Sequence, residues 1–231
     1  MSAIARYYNA KGFKVSGYDK TPSPLTEALE SEGIDVHYTD DASYIPKDVD
    51  KTLVVYTPAI PKDMGELVYA QEHGYRVIKR SKMLGEIATG QRCMAVAGTH
   101  GKTTTTSMFS SVLLAADADP TISVGGILEA IGGNIRVGKS ETFITEACEY
   151  TNSFLSFFPR VSIILNVDAD HLDFFKDLDD IRSSFHKFAL LTPQNGALII
   201  NGDIPAYEEL CEGTSCKVIT FGFGEHNDYR I

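Results

Sequence analysis

The sequence predicts an α/β protein in which two successive domains are each built on a largely parallel sheet. Three observations carry this. Short apolar segments alternate with helix-patterned ones from residue 2 to about residue 88. The stretch Cys93–Met108, CMAVAGTHGKTTTTSM, sets a short apolar strand, a glycine turn and a helix in that order. Further on, two strand-like segments, Thr142–Thr145 and Arg160–Leu165, each run into a cluster of polar side chains.

In chain order, Ser2–Ala10 is expected as a helix stopped by Gly12, and Phe13–Gly17 as a strand. The turn Thr21-Pro22-Ser23-Pro24 leads into a helix at Leu25–Ser31, ended by Gly33. Ile34–Tyr38 and Thr52–Tyr56 read as strands, Glu66–His73 as a helix closed by Gly74, Arg76–Ile78 as a short strand and Ser81–Ala88 as a helix. The polar break Thr89-Gly90-Gln91 divides domain 1–89 from domain 90–231. In the second domain Cys93–Ala97 is a buried strand, Gly98–Gly101 a tight turn, Lys102 to about Ala116 a helix and Thr121–Val124 a strand. Gly125-Gly126 and Gly132-Gly133-Asn134 are either a flexible loop toward a substrate or only turns. Beyond the two strands already named come an amphipathic helix at Leu178–Leu191, strands at Ala197–Ile200 and Lys217–Phe221, and a polar tail.

Composition narrows the function. Hydrophobic content of 43% and charged content of 23% are those of a soluble globular protein. No apolar run approaches the roughly 18 residues of a membrane helix, and the start MSAIARYYNAKG lacks the apolar core of a signal peptide. A net charge of −10 argues against a nucleic-acid surface, though not against a local nucleotide site. Cysteines 93, 148, 211 and 216 show no metal-binding spacing and read as reduced thiols of a cytoplasmic protein.

Strand, glycine turn and helix together make a phosphate cradle, because loop amides and the helix N-terminus point donors at an anion. Gly98, Thr99, His100, Gly101, Lys102, Thr103 and Thr104 form it, with Lys102 reaching the β- and γ-phosphates and the Thr103 hydroxyl serving Mg²⁺. The general phosphate-loop pattern wants a glycine where Val96 stands. Glu146, at a strand's carboxyl end, is a natural Mg²⁺ ligand beside phosphate. His171 follows a buried strand beside Asn166 and Asp170, where an imidazole can ligate a metal and Asp170 can orient it. Asp19, at the end of the second element, either accepts from a sugar hydroxyl or starts a turn. No N-K-x-D motif follows the phosphate loop, which speaks against a GTPase.

The segments GTHGKTTTTSM, EACE and NVDADHLD resemble those of the Mur ligases, the ATP-dependent amino-acid ligases of peptidoglycan precursor synthesis, whose loop also lacks the early glycine. The resemblance runs from Met1 to about Gly222. It implies a Rossmann-like UDP-sugar domain followed by a P-loop-type central ATPase domain, with ATP and Mg²⁺ as cofactors. It implies that Lys102 stabilises the transferring phosphoryl group, that Thr103 and Glu146 hold one Mg²⁺ and His171 helps hold a second, and that Glu149 orients substrate. It places UDP-sugar contacts at Ser2, in a segment similar to the end of the family's glycine-rich loop, at Asp19, and at Thr57 and Ala59 of TPAIP. Tyr18, Tyr38-Thr39 and Cys148 depart from the family spelling, and Cys148 inherits no role. The spelling is most similar to the branch that joins L-alanine to UDP-N-acetylmuramate. A murein tripeptide recycling ligase and a non-catalytic nucleotide-binding module are the alternatives. Neither nucleic acid nor membrane is an expected partner, and oligomeric state is not implied. The family's first strand, most of its glycine-rich loop and its C-terminal domain have no counterpart, so the chain is expected to be a fragment that is inactive alone. A domain that simply begins on a helix is the other reading of the N-terminus.

Overall fold

A computed structural model describes residues 1–231, and the chain divides into two compact units, Met1–Met83 and Leu84–Ile231. The first unit carries helix α1 (Ser2–Ala10), strand β1 (Ser16–Tyr18), α2 (Pro24–Ser31), β2 (Asp35–His37), β3 (Leu53–Tyr56), α3 (Gly65–Glu72), β4 (Arg76–Lys79) and the start of α4 (Arg80–Ala88). Packing thus divides the chain inside α4, some residues before the polar break at 89–91.

The strands of this unit are parallel, but they form two separate pairs, β1 with β2 and β3 with β4, where one sheet was expected. Each ladder is only three or four residues long. β1 also starts later than the apolar pattern suggests. The amides of Lys11, Gly12 and Phe13 turn back onto carbonyls of Tyr7, Tyr8 and Asn9 to close α1, with Gly12 at φ 84°. Phe13 is therefore spent on the turn and left 60% exposed. α2 begins as Ser23-Pro24 predicts. The Ser23 hydroxyl accepts from the Thr26 amide, and the Thr26 hydroxyl accepts from the Ser23 amide.

The second unit is one eight-stranded sheet. Its elements are β5 (Arg92–Ala97), α5 (Lys102–Ala115), β6 (Thr121–Leu128), β7 (Gly133–Arg136), β8 (Thr142–Glu146), β9 (Val161–Ile164), α6 (Leu178–Leu190), β10 (Ala197–Asn201), α7 (Tyr207–Cys211), β11 (Lys217–Gly222) and β12 (Tyr229–Arg230). The strand order is β12-β11-β10-β9-β5-β8-β6-β7, parallel except between β6 and β7. β5 lies inside the sheet, and Cys93, Ala95, Val96 and Ala97 are wholly buried. This is why its sequence is a continuous apolar run without alternation. Val96 is a ladder residue opposite Glu146, so the missing early glycine is strand, not loop.

Helices cover the sheet. α5 carries Thr103 to Thr106, β-branched residues that favour helix weakly. It is held instead by packing of Phe109, Leu113 and Leu114 on Ile122, Val124 and Ile144. On α6, Phe188 stacks on Phe154 at 4.8 Å and Phe185 meets it edge-on at 5.3 Å. No helix is long and apolar enough to cross a membrane.

In the glycine-rich region only Gly132 is a turn, and the other glycines and Asn134 are strand. β6 runs through Gly125 and Gly126 to Leu128, and Gly132, at φ 63°, reverses the chain into antiparallel β7. α7 and β12 were not anticipated, since five and two residues are too few to show a period.

Burial at the sheet centre makes one pH prediction. Cys93 is fully buried and its thiol is pushed up to about 12 by desolvation. The folded value lies above the unfolded one, about 9, so stability is full below pH 9 and is lost as pH rises toward 12. Denaturant melts at pH 8 and pH 10 should differ by about 1.4 kcal/mol more in the parent than in Cys93→Ala. Equal differences would show that Cys93 ionises in the folded chain.

Candidate functional site

The chain crosses from β8 to β9 over β5, which lies between them, so the sheet has a switch point at the carboxyl end of β5. Ligands of open parallel sheets bind at such points. The segments that leave the strands here are Gly98–Gly101 from β5, Ala147–Tyr150 from β8 and Leu165–His171 from β9.

The phosphate loop has the form its glycines require. Gly101 is left-handed, φ 80°, and is the N-cap of α5 without any side-chain cap, so the first-turn amides are left for an anion. Gly98 has φ 147°, and a β-carbon there would stand 3.0 Å from Leu165 Cβ and 3.3 Å from the Asn166 amide nitrogen. The Lys102 ammonium folds back over the loop. It donates to the carbonyls of Gly98 at 2.6 Å and Thr99 at 3.2 Å, and to the Glu149 carboxylate at 3.0 and 3.2 Å.

Glu149 is the electrostatic centre. Its side chain is 2% exposed, and His171 Nε2 lies 3.5 Å from Oε1, which Lys102 also contacts. Lys102 and His171 thus share one buried carboxylate. Asp170 does not orient the His171 ring as expected. Its Oδ1 accepts from the His171 backbone amide at 2.7 Å, and ring Nδ1 is 4.0 Å away. The ring is set instead by Glu149 and by Tyr150, whose ring centre is 4.6 Å distant. The Tyr150 hydroxyl donates to Asp173 at 2.8 Å, and that bond holds its pKa above the ordinary phenol value.

The bend after Glu149 is strained. Thr151 and Asn152 are consecutive non-glycine residues in the left-handed region, φ 55° and 57°. The Asn152 amide closes on the Glu149 carbonyl at 2.8 Å, and the buried Ser184 hydroxyl of α6 donates to Asn152 Oδ1. His171 is also left-handed, φ 52°. Strain of this kind concentrates at functional sites.

Glu146 ends β8, and its Oε1 accepts from the Gly125 amide at 2.6 Å. The glycine pair in β6 now has a reason. A β-carbon on Gly125 would stand 2.9 Å from Glu146 Oε2, and one on Gly126 would stand 3.3 Å from Thr103 Cγ2. Glu146 and Thr103 therefore flank adjacent residues of one strand. No group of three or more His, Cys, Asp or Glu side chains is gathered on a single point. The donor set fits Mg²⁺ all the same, because Mg²⁺ takes one or two protein oxygens and fills the rest with phosphate and water.

The phosphate loop is also stitched to the segment after β9. The Thr99 amide donates to the Asn166 carbonyl at 3.3 Å, and the Asp168 amide donates to the Thr99 hydroxyl at 2.9 Å. The Asn166 carboxamide accepts from the His100 amide at 2.8 Å and donates to the His100 carbonyl at 3.0 Å. Sequence reasoning gave Asn166 only a place near His171 and gave Tyr150 none. A lone aromatic beside an acidic motif carries no spacing signal.

In the first unit, Ser2 is buried in the first turn of α1. Asp19 is exposed after β1 and accepts from the Thr21 amide at 3.3 Å, which is the turn-starting role. Thr57 and the exposed Ala59 follow β3, and the Thr57 carbonyl accepts from the Ile60 amide. The Met1 amino group has its pKa lowered by burial, helped by Arg80 and opposed by Asp19.

This chain is similar to proteins of known family. Residues 1–92 match the model described as Mur ligase family, catalytic domain, and residues 96–231 match the Mur ligase middle domain. The chain is 53% identical over 230 residues to the UDP-N-acetylmuramate–L-alanine ligase of Agathobacter rectalis, covering 99% of this chain and 50% of that protein. It is 55% identical over 223 residues to the same-named enzyme of Lachnospira eligens, covering 96% of this chain and 48% of the relative. The chain thus spans about half the length of the curated relatives it matches. Among solved structures, the UDP-N-acetylmuramate:L-alanyl-γ-D-glutamyl-meso-diaminopimelate ligase of Neisseria meningitides superposes with a TM-score of 0.88 at 30% identity, over 98% of this chain and 75% of that one. The UDP-N-acetylmuramate-alanine ligase of Thermotoga maritima gives 0.79 at 28% identity, over 96% and 50%.

Proposed function

The chain belongs to the Mur ligase family, and from that premise we propose that it supplies the sugar-nucleotide and ATP-handling parts of an enzyme that joins L-alanine to UDP-N-acetylmuramate. The observation that carries the reading is the Lys102–Glu149–His171 cluster at the mouth of an uncapped helix. The reaction would proceed through an acyl phosphate: the muramoyl carboxylate takes the γ-phosphoryl group of ATP, and the alanine amine then displaces phosphate.

The residues divide the work. Amides from Gly98 to Thr104 cradle the phosphates. Lys102 leaves the loop carbonyls and moves to the γ-phosphate oxygens, where its charge offsets what develops in transfer. Thr103 and Glu146 would hold one Mg²⁺ and His171 would help hold a second, and such ions would supply charge neutralisation at phosphate and carboxylate oxygens. Glu149 keeps Lys102 and His171 at a fixed spacing. In the first unit, Ser2, Asp19, Thr57 and Ala59 are the proposed contacts to the UDP-sugar, and 1–89 and 90–231 the proposed working domains.

L-alanine is preferred to a murein tripeptide because the curated relatives near 50% identity carry the L-alanine name. Calorimetric titration with UDP-N-acetylmuramate tests the ligase reading against a simple nucleotide switch. Saturable one-to-one binding is expected. Binding of ATP with Mg²⁺ but not of the UDP-sugar would favour the switch.

A further inference from the structure

The last paired residues of the β5–β9 ladder are Ala97 and Ile164, yet the two chains stay zipped beyond them. The Leu165 amide donates to the Ala97 carbonyl, and the Thr99 amide to the Asn166 carbonyl. There the backbones part, and a side chain takes over. The Asn166 carboxamide presents one acceptor and one donor to the His100 peptide, at 2.8 and 3.0 Å, the same pairing that a neighbouring strand would offer. The Thr99 hydroxyl adds a further stitch to the Asp168 amide. Gly98 belongs to the same device, since a β-carbon there would stand 3.4 Å from Asn166 Oδ1 and 3.0 Å from the residue before it.

We infer that Asn166 is the positioning residue of the phosphate loop: its carboxamide serves as a side-chain rung that holds Thr99–Gly101 in the anion-binding shape and joins this loop rigidly to the segment bearing His171. The inference rests on the nucleotide reading above and deepens it. Asn166 touches no phosphate; it acts through the His100 peptide. Without it, the loop amides must be ordered by the nucleotide itself, and that ordering is subtracted from affinity. Only a carboxamide fits both halves of the pairing at this reach. A carboxylate accepts from the His100 amide but repels its carbonyl, and an alanine leaves both groups to water.

Two measurements on the 231-residue chain decide it. The first is amide hydrogen exchange without nucleotide, comparing the parent with Asn166→Ala and with the isosteric Asn166→Asp. In Asn166→Ala, exchange at His100, whose amide loses its acceptor, and at the neighbouring Thr99 should quicken about tenfold or more, while amides of β5 and β9 keep their protection; Asn166→Asp, which keeps the acceptor but repels the His100 carbonyl, should quicken the same two amides by about threefold. Unchanged loop exchange overturns the inference whether or not the parent binds nucleotide. The second is calorimetric titration with Mg²⁺ and AMP-PNP. Affinity should fall about ten- to thirty-fold in either variant at an unchanged melting midpoint. A variant affinity within twofold of the parent overturns the inference and leaves the nucleotide reading intact. A parent that binds no nucleotide removes the nucleotide reading, and the exchange result then decides the loop's positioning alone. Should Asn166→Ala loosen the whole sheet, Asn166→Asp, of the same volume, carries both measurements.

Discussion

Lys102→Ala should abolish measurable binding of Mg²⁺ and AMP-PNP, a loss of about a hundredfold or more, because a charge-assisted contact to phosphate has no substitute in the loop. The same change should also weaken the fold, which a purely ligand-facing lysine would not do. Glu149 is 1% exposed, and Lys102 supplies its two closest charge-assisted bonds. Removing one partner of a buried pair leaves an uncompensated charge and costs about 3 kcal/mol, reduced here by His171 at 3.5 Å. The double variant Lys102→Ala/Glu149→Gln separates the two effects. Its melting midpoint should recover toward that of the parent, since no charge is left unpaired, while nucleotide binding stays absent. Calorimetric titration together with thermal melts reads both. A single variant as stable as the parent would mean that Glu149 is served by water or by His171 alone.

The second large effect is expected at Glu146, approached from two sides. Glu146→Gln keeps shape and removes charge, so it should cost about a hundredfold in turnover of the full-length enzyme and raise the Mg²⁺ concentration needed for half-maximal rate. Gly125→Ala should reproduce much of this without touching the carboxylate. Its β-carbon would stand 2.9 Å from Glu146 Oε2, so the side chain must swing away from the Gly125 amide that now fixes it at 2.6 Å. A neighbouring control, Gly133→Ala, has nothing within 4 Å of the added carbon and should be near neutral. Mg²⁺ dependence of the initial rate is the measurement. Normal Mg²⁺ dependence in Glu146→Gln would remove Glu146 from the metal site.

What the sequence disclosed depended on length and on punctuation. β5 and α5 were legible almost to the residue, because a buried strand must be apolar throughout and because Gly101-Lys102 marks a helix start. Short elements were not. Phe13 looks like strand but closes a helix, and Gly125-Gly126 looks like a loop but is strand kept bare so that Glu146 and Thr103 can approach. The two parallel pairs of the first unit could not be told from a single sheet, since strand pairing is a long-range property that periodicity does not record. At the site, residue types pointed to the proposed chemistry: lysine in a glycine turn, carboxylate at a strand end, histidine after a buried strand. Their mutual geometry was not announced. Lys102 and His171 meet on one carboxylate beside left-handed backbone at Thr151, Asn152 and His171, and residue types that merely tolerate that conformation do not announce where it will occur.

The left-handed pair at Thr151 and Asn152 has a consequence for the order in which the molecule assembles. Each such residue costs about 1–2 kcal/mol when nothing holds it, so the bend is not a local preference that forms early and guides the rest. Beside the local bond from the Asn152 amide to the Glu149 carbonyl, its long-range restraint comes from Ser184, on a helix that begins more than 25 residues after the bend. Glu149 should therefore settle against Lys102 together with the docking of α6, as Phe185 and Phe188 close on Phe154. The sheet can then be complete while the charges at its mouth are still apart, and the proposed nucleotide site should be among the last parts of this unit to form.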